Sequence, residues 1–199
     1  LPREQRREQL LDAALEVLAT CQLQELSMAA VALAAGVGKP VLYTAFRSRT
    51  DFVSSLLRRE YDRGLLQVRD AIPRDLSVPG PGTYASFISA FVRAVQQNPA
   101  RWRLIFVVPE SAPREYREAV RQGRTALLTQ AEMLAQVSAV LEPRLSGLDP
   151  LLLAQTMLSF AETLGRLAVS DPRTYTSQRL EAYAVGLTAF LASPRADVG

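Results

Sequence analysis

The chain has 199 residues, 48% of them hydrophobic, and its 23 Lys and Arg against 20 Asp and Glu leave a net charge of +3. That length holds one large domain, or a small and a medium one, and buries a core without staples. It contains no His and a single Cys, Cys21, which excludes Ser-His and Cys-His nucleophile pairs, His-based metal sites, zinc-thiolate sites and an intramolecular disulfide.

No catalytic residue, metal or cofactor is therefore expected, and a lone Cys fits a reducing, cytoplasmic compartment. A membrane partner is not expected either. The most apolar stretch, Leu151 to Val169, is broken by Gln155, Glu162 and Arg166, and a spanning helix needs about 20 predominantly apolar residues. The start, Leu-Pro-Arg-Glu-Gln-Arg-Arg, is charged and lacks the apolar core of a signal peptide.

Abundant Ala, Leu and Arg with few β-branched runs favour helix throughout. The first helix is predicted over residues 3–20, with Leu10, Leu11, Ala14, Leu15 and Leu18 on one face. A second begins after Ser27, a good N-cap, and ends near Ala35. A third spans 39–44, with Pro40 tolerated in its first turn. A fourth opens after Ser48, has Asp51 where the helix dipole favours an acid, and reaches Ala71. Residues 73–82 hold four Pro or Gly in their last four positions and read as a loop. Further helices are predicted over 84–97, from Pro99 to about 108, from Pro113 to about 141, from Asp149-Pro150 to about 170, and from Thr176 or Ser177 to about 192.

Within this all-α plan, residues 27–46 carry the functional signal. Val31, Ala32 and Ala35 share a helical face, Gly36 supplies a sharp reversal, and Val37, Val41, Leu42 and Phe46 continue the apolar stripe. That is the pattern of a helix-turn-helix, whose second helix lies in the DNA major groove. A phosphate loop is the rival reading of Gly36-Val37-Gly38-Lys39, but it needs Gly at 33 and Ser or Thr at 40, where Leu33 and Pro40 stand. Net charge adds little, because Arg3, Arg6, Arg7, Lys39, Arg47 and Arg49 nearly cancel against Glu4, Glu8, Asp12, Glu16 and Glu25.

Residues 6–53 resemble the DNA-binding domain of the TetR family of bacterial transcriptional regulators. The resemblance rests on Ala13-Ala14, Ser27-Met28, Val31-Ala32, Ala35-Gly36-Val37, Leu42-Tyr43, Phe46 and Ser48-Arg49-Thr50-Asp51-Phe52, the last near a family pattern of Ser-Lys-Glu-Glu-Leu. The chain departs from the family at Gly38, often Ser or Thr, at Ala45, often His or Tyr, and in the turn at Cys21-Gln22-Leu23-Gln24-Glu25, which lacks the usual Gly. The resemblance implies a three-helix DNA-binding domain over 1–48 and a larger helical domain over 49–199 that binds a ligand and dimerises. The partners it implies are a double-stranded DNA operator, a second copy of the chain and a small hydrophobic organic effector. The rivals are a ligand-independent regulator or activator on the same fold, and a helical interaction protein that has lost DNA binding.

Candidate DNA-binding residues are Arg3, Arg6 and Arg7 at the start of the first helix; Ser27 and Met28; Gly38, Lys39, Pro40, Tyr43 and Thr44 in the third; and Arg47 and Arg49 around Ser48. Lys39 has the reach for a phosphate or a guanine edge, and the helix start after Ser48 offers backbone N–H groups to a phosphate. Candidate ligand-binding residues are Phe91, Trp102, Phe106, Met133 and Phe160, chosen from side chains that equally read as core. Glu162 reads either as a polar contact for a ligand or as a solvent-facing carboxylate. The last two helices are apolar on more than one side, so Leu158, Ala161, Gly165, Ala168, Tyr183, Leu187 and Phe190 are candidates for a four-helix dimer interface. Cys21, beside Leu23 and Leu26, reads as a small core residue.

Overall fold

The structure, a computed structural model, describes residues 2–71, 81–106, 112–141 and 145–192, without the side chains of 71, 81–83, 141 and 190–192. Among these there are nine α-helices and no strand: α1 (Arg3–Leu18), α2 (Met28–Ala34), α3 (Lys39–Ala45), α4 (Arg49–Ala71), α5 (Pro81–Gln97), α6 (Pro99–Phe106), α7 (Arg114–Leu141), α8 (Pro150–Ser170) and α9 (Ser177–Ala192). Of the loop expected at 73–82, residues 73–80 lie outside the described set, while Pro81 and Gly82 open α5. A short 3-10 turn, Leu23–Glu25, was not foreseen.

The chain divides into two compact units, Leu1–Gly64 with Pro99–Val120, and Leu65–Asn98 with Arg121–Gly199. The first therefore extends well past residue 48 and includes most of α4, all of α6 and the start of α7.

In the first unit α1 buries Leu10, Leu11, Ala13, Ala14 and Leu18 and packs on α2, α3 and α6. The Ser27 hydroxyl caps α2 by accepting the Ala30 N–H at 3.0 Å. Gly36 ends it at φ 65°. There Val37 N–H donates to Ala32 O at 2.9 Å and Gly36 N–H to Leu33 O at 3.0 Å, the paired bonds of a Schellman cap. A Cβ at Gly36 would meet nothing within 4 Å, so only the backbone resists a larger residue. Gly36→Ala is expected to cost about 1–2 kcal/mol in urea unfolding and Gly36→Asn less, since Asn tolerates the left-handed region. An Ala variant as stable as the parent would show that the left-handed cap does not set the turn.

Beyond α3, Phe46 and Phe52 meet edge to face at 4.9 Å and lock it to the start of α4. Along α4 the buried residues Phe52, Leu56, Glu60, Gly64 and Val68 recur every fourth position. Glu60 is 0% exposed in the middle of that apolar row. Its carboxylate accepts from Arg59 Nε at 2.7 Å and from Arg101 Nε of α6 at 2.7 Å. Arg59 and Arg63 also bind Glu8 and Asp12 of α1, each at its shortest 2.9 Å except Arg63–Asp12 at 3.4 Å. This network ties α1, α4 and α6 together. Nearby, Tyr61 donates to Val120 O and Tyr116 to Leu104 O, and burial pushes both phenols up, so they stay neutral.

In the second unit α5 packs against α8 and α9. Asp149 caps α8 by accepting the Leu152 N–H at 2.9 Å, with Pro150 at its start. An Arg93–Glu181 ion pair at 2.7 Å and a Ser177–Gln96 hydrogen bond fasten α9 to α5. Arg124 of α7 and Glu162 of α8 pair at 3.0 Å, which accounts for Glu162 within the fold. No single described helix is long and apolar enough to cross a membrane.

Candidate nucleic-acid interface and internal cavity

Helix α3 buries Leu42 and Ala45 and half-buries Val41, which leaves Lys39, Pro40, Tyr43 and Thr44 exposed on the opposite side. Their spacing, i, i+1, i+4 and i+5, is one helical face. The Thr44 hydroxyl turns back to Val41 O at 2.7 Å. Gly38 precedes α3 without a side-chain cap; it is exposed, as are Ser27, Arg3 and Arg47. Lys39, Pro40, Tyr43 and Thr44 form one candidate surface on α3, and Gly38, Ser27, Arg3 and Arg47 are further exposed candidates.

Four of the expected contacts are otherwise engaged. Met28 is 7% exposed and belongs to the core. Arg7 donates to Ala45 O at 2.7 Å and Ser55 Oγ at 3.0 Å, with its guanidinium 4.2 Å over the Phe46 ring. It fastens α1 to the end of α3 through a cation–π contact and two hydrogen bonds. Arg6 donates to Gln9 at 2.6 Å, and Gln9 in turn to Ala35 O at 2.9 Å, a brace on the turn before α3. Arg49 leans toward Leu23 O and Leu26 O at 3.5 and 3.4 Å.

The start of α4 is also partly occupied. Ser48 Oγ accepts the Asp51 N–H at 3.1 Å and Asp51 Oδ2 accepts the Arg47 N–H at 2.9 Å. This reciprocal cap uses two of the N–H groups expected to meet a phosphate, and sets a carboxylate beside the rest.

The second unit holds an apolar cavity of about 90 Å³, lined by Val68, Tyr84, Phe87, Ile88, Leu127, Gln130, Ala131, Leu134, Met157 and Leu158. None of the five expected ligand-binding residues lines it. Trp102 and Phe106 are 3% and 8% exposed and pack on each other at 5.4 Å in the first unit. Phe91 lies behind Phe87, ring on ring at 6.3 Å. Met133 points to solvent at 62% exposure, and Phe160 packs on Tyr183 at 5.9 Å. The α7 wall residues 127, 131 and 134 do follow helical spacing. A sequence shows that such a face is apolar, but not where packing against it is incomplete.

The expected interface also divides. Ala161, Gly165 and Ala168 are buried within the protomer, so these small residues let its own helices approach rather than a partner's. Leu158 lines the cavity and Leu187 is half-buried. Tyr183 is exposed, and the Phe190 side chain lies outside the described residues. The outward apolar residues of α8 and α9 are Leu151, Leu152, Tyr183 and Val185, with Gly186 opening on empty space.

Three short helices, a left-handed Gly turn and a solvent-facing polar side on the last of them define a helix-turn-helix domain of the DNA-binding kind. Residues 10–56 match the family model for bacterial regulatory proteins, tetR family. Over these residues the chain is similar to that family.

Among curated proteins it is similar to the HTH-type transcriptional activator FasR of Mycolicibacterium smegmatis, at 34% identity over 106 residues, 53% of this chain and 48% of that protein. The match thus spans about half the length of that relative. Among solved structures, a transcriptional regulator from Rhodococcus sp. Rha1 superposes with a TM-score of 0.74 at 19% identity, over 93% of this chain and 95% of that one. The regulator FadR from Bacillus subtilis, solved in complex with stearoyl-CoA, superposes with a TM-score of 0.67 at 18% identity, over 94% and 97%. At such identities these structures speak for the fold.

Proposed function

We propose that the chain is a homodimeric transcriptional repressor that binds a palindromic DNA operator through α3 and leaves it when a small hydrophobic effector enters the second unit. Residues 1–48 carry the DNA contacts, and 49–199 the effector and the dimer face. The observation that carries this reading is the face of Lys39, Pro40, Tyr43 and Thr44, exposed on a helix held rigidly behind by Leu42, Ala45 and Phe46. The effector acts only by its differential affinity for two states. A cavity of about 90 Å³ is small beside ligand sites of roughly 300–1,000 Å³. Entry of a ligand therefore parts α5, α7 and α8, and the conformer so favoured spaces the two recognition helices wrongly for the operator. A FadR in complex with stearoyl-CoA supports an acyl-type effector.

The second reading is an activator, favoured by the similarity to FasR, a transcriptional activator. Transcription from an operator-bearing reporter, measured with and without the chain, separates the two by sign.

Dimerisation is assigned to the outward residues of α8 and α9, Tyr183, Val185 and Gly186 among them. Gly186→Arg is expected to give a folded monomer by sedimentation, because a charge placed in an interface without a partner is strongly unfavourable. Footprinting of the parent is expected to show an inverted repeat with half-site centres roughly 34–36 Å apart or a multiple of that. An undisturbed Gly186→Arg dimer moves the interface elsewhere, and an asymmetric footprint counts against a two-fold dimer on DNA.

A further inference from the structure

The α7 wall of the cavity continues in both directions along one face. Arg124, Leu127, Ala131, Leu134 and Ser138 stand at steps of three and four residues. At one end the Arg124–Glu162 pair closes the gap between α7 and α8. At the other end Ser138 is 1% exposed. Its hydroxyl, and that of the cavity-lining Tyr84 on α5, are sealed from solvent, and neither has a hydrogen-bond partner among the described residues. The two groups are neighbours: burial pushes the Tyr84 phenol up, and the nearby Ser138 hydroxyl, which does not reach full hydrogen-bond geometry, pulls it weakly the other way.

Two buried hydroxyls left unsatisfied, one lining an otherwise apolar cavity and the other beside it, cost stability and stabilise nothing in the empty protein. Among the described residues no charged side chain lines the cavity, and the remaining polar residue, Gln130, is exposed. A carboxylate or an ammonium brought inside would lose its hydration without a counter-charge.

We infer that the cavity takes an uncharged amphiphile, an apolar chain with one hydrogen-bonding oxygen such as an alcohol, ester or thioester, and that Tyr84 and Ser138 read that oxygen. This rests on the reading that the second unit binds a small apolar effector, and adds its chemical class and the residues that select it. Both hydroxyls donate to a carbonyl, or one donates and one accepts at an alcohol. A charged head group is admitted only if it remains outside.

The test is calorimetric titration of the full chain with 1-decanol, methyl decanoate and decanoate ion, for the parent, Tyr84→Phe and Ser138→Ala. Decanol and the ester are expected to bind at least tenfold more tightly than decanoate, because a buried ion without a partner is disfavoured. Each variant is expected to lose about fivefold in affinity for decanol, one hydrogen bond's worth. The melting temperature of each ligand-free variant is expected to be unchanged or raised, which a hydroxyl already satisfied within the fold would not allow.

Equal binding of decanoate, unchanged affinity in both variants, a lowered ligand-free melting temperature, or no binding of any probe overturns the inference. The reading beneath it fails separately and visibly. In that case decanol binds with the expected pattern, yet saturating decanol leaves retention of operator DNA unchanged.

Discussion

Glu60→Ala is expected to destabilise the protein by about 3–5 kcal/mol, the usual cost of removing one partner from a buried ion pair. That is a large share of the roughly 5–15 kcal/mol that holds most domains together. The reason is the arrangement around a carboxylate that is 0% exposed, with Arg59 and Arg101 each 2.7 Å away and themselves about nine-tenths buried. Deleting the carboxylate takes away the acid that Arg101 meets and leaves Arg59 held only by Glu8 and Asp12, with its buried Nη2 still without a partner. Glu60→Gln keeps the shape but not the charge and is expected to fall between. The double change Glu60→Leu with Arg101→Met removes both charges and is expected to recover much of the loss, since an apolar pair of similar volume is often neutral. Urea midpoints with unchanged slopes measure all three. A Glu60→Ala variant within 1 kcal/mol of the parent would mean that the network tying α1, α4 and α6 is incidental.

Lys39→Ala is expected to weaken operator binding about ten- to hundredfold, with little effect on stability. Lys39 is exposed at the start of α3, and one specific contact to a base edge is worth about 1–3 kcal/mol. If Lys39 meets a phosphate instead, the loss is equal for all sequences, and the salt slope of a dimer falls by about 1.8, twice the 0.9 for each lost contact. Arg49→Ala is expected to do less, because that side chain leans toward the carbonyls of Leu23 and Leu26. Arg7→Ala is expected to lower stability first, since its guanidinium holds Ala45 O, Ser55 and the Phe46 ring. Filter binding across a salt series distinguishes these patterns. Parent-like affinity and slope for Lys39→Ala would show that α3 is not the helix that reads DNA.

The helices and most of their described boundaries were legible because their signals are local, though α5 starts at Pro81, inside the expected loop. Ser27, Gly36, Ser48, Asp149 and the prolines act within a turn of themselves, and each does in the fold what its chemistry predicts. The polar side of α3 was legible for the same reason. The fate of a long side chain was not. Arg6 and Arg7 look alike in the sequence, yet one braces Gln9 and the other stacks on a ring 39 positions away.

Glu60 did leave a trace. It interrupts a row of Phe52, Leu56, Gly64 and Val68 at the spacing of a buried face, and a charge there needs a partner. The cavity left less, because an apolar face that packs fully and one that packs with a gap have the same pattern. The small residues of α8 misled: Ala161 and Gly165 fit a close helix approach, and the approach is made inside the protomer.

The burial of Trp102 beside Phe106, in the unit that also holds α3, gives the molecule an optical division of labour. It is the single Trp of the chain. Its emission is expected to report rearrangement around Gly64 and Ile105, where a Cβ on the glycine would collide with the Ile side chain. A ligand that changes the indole spectrum has therefore been felt in the unit that holds α3.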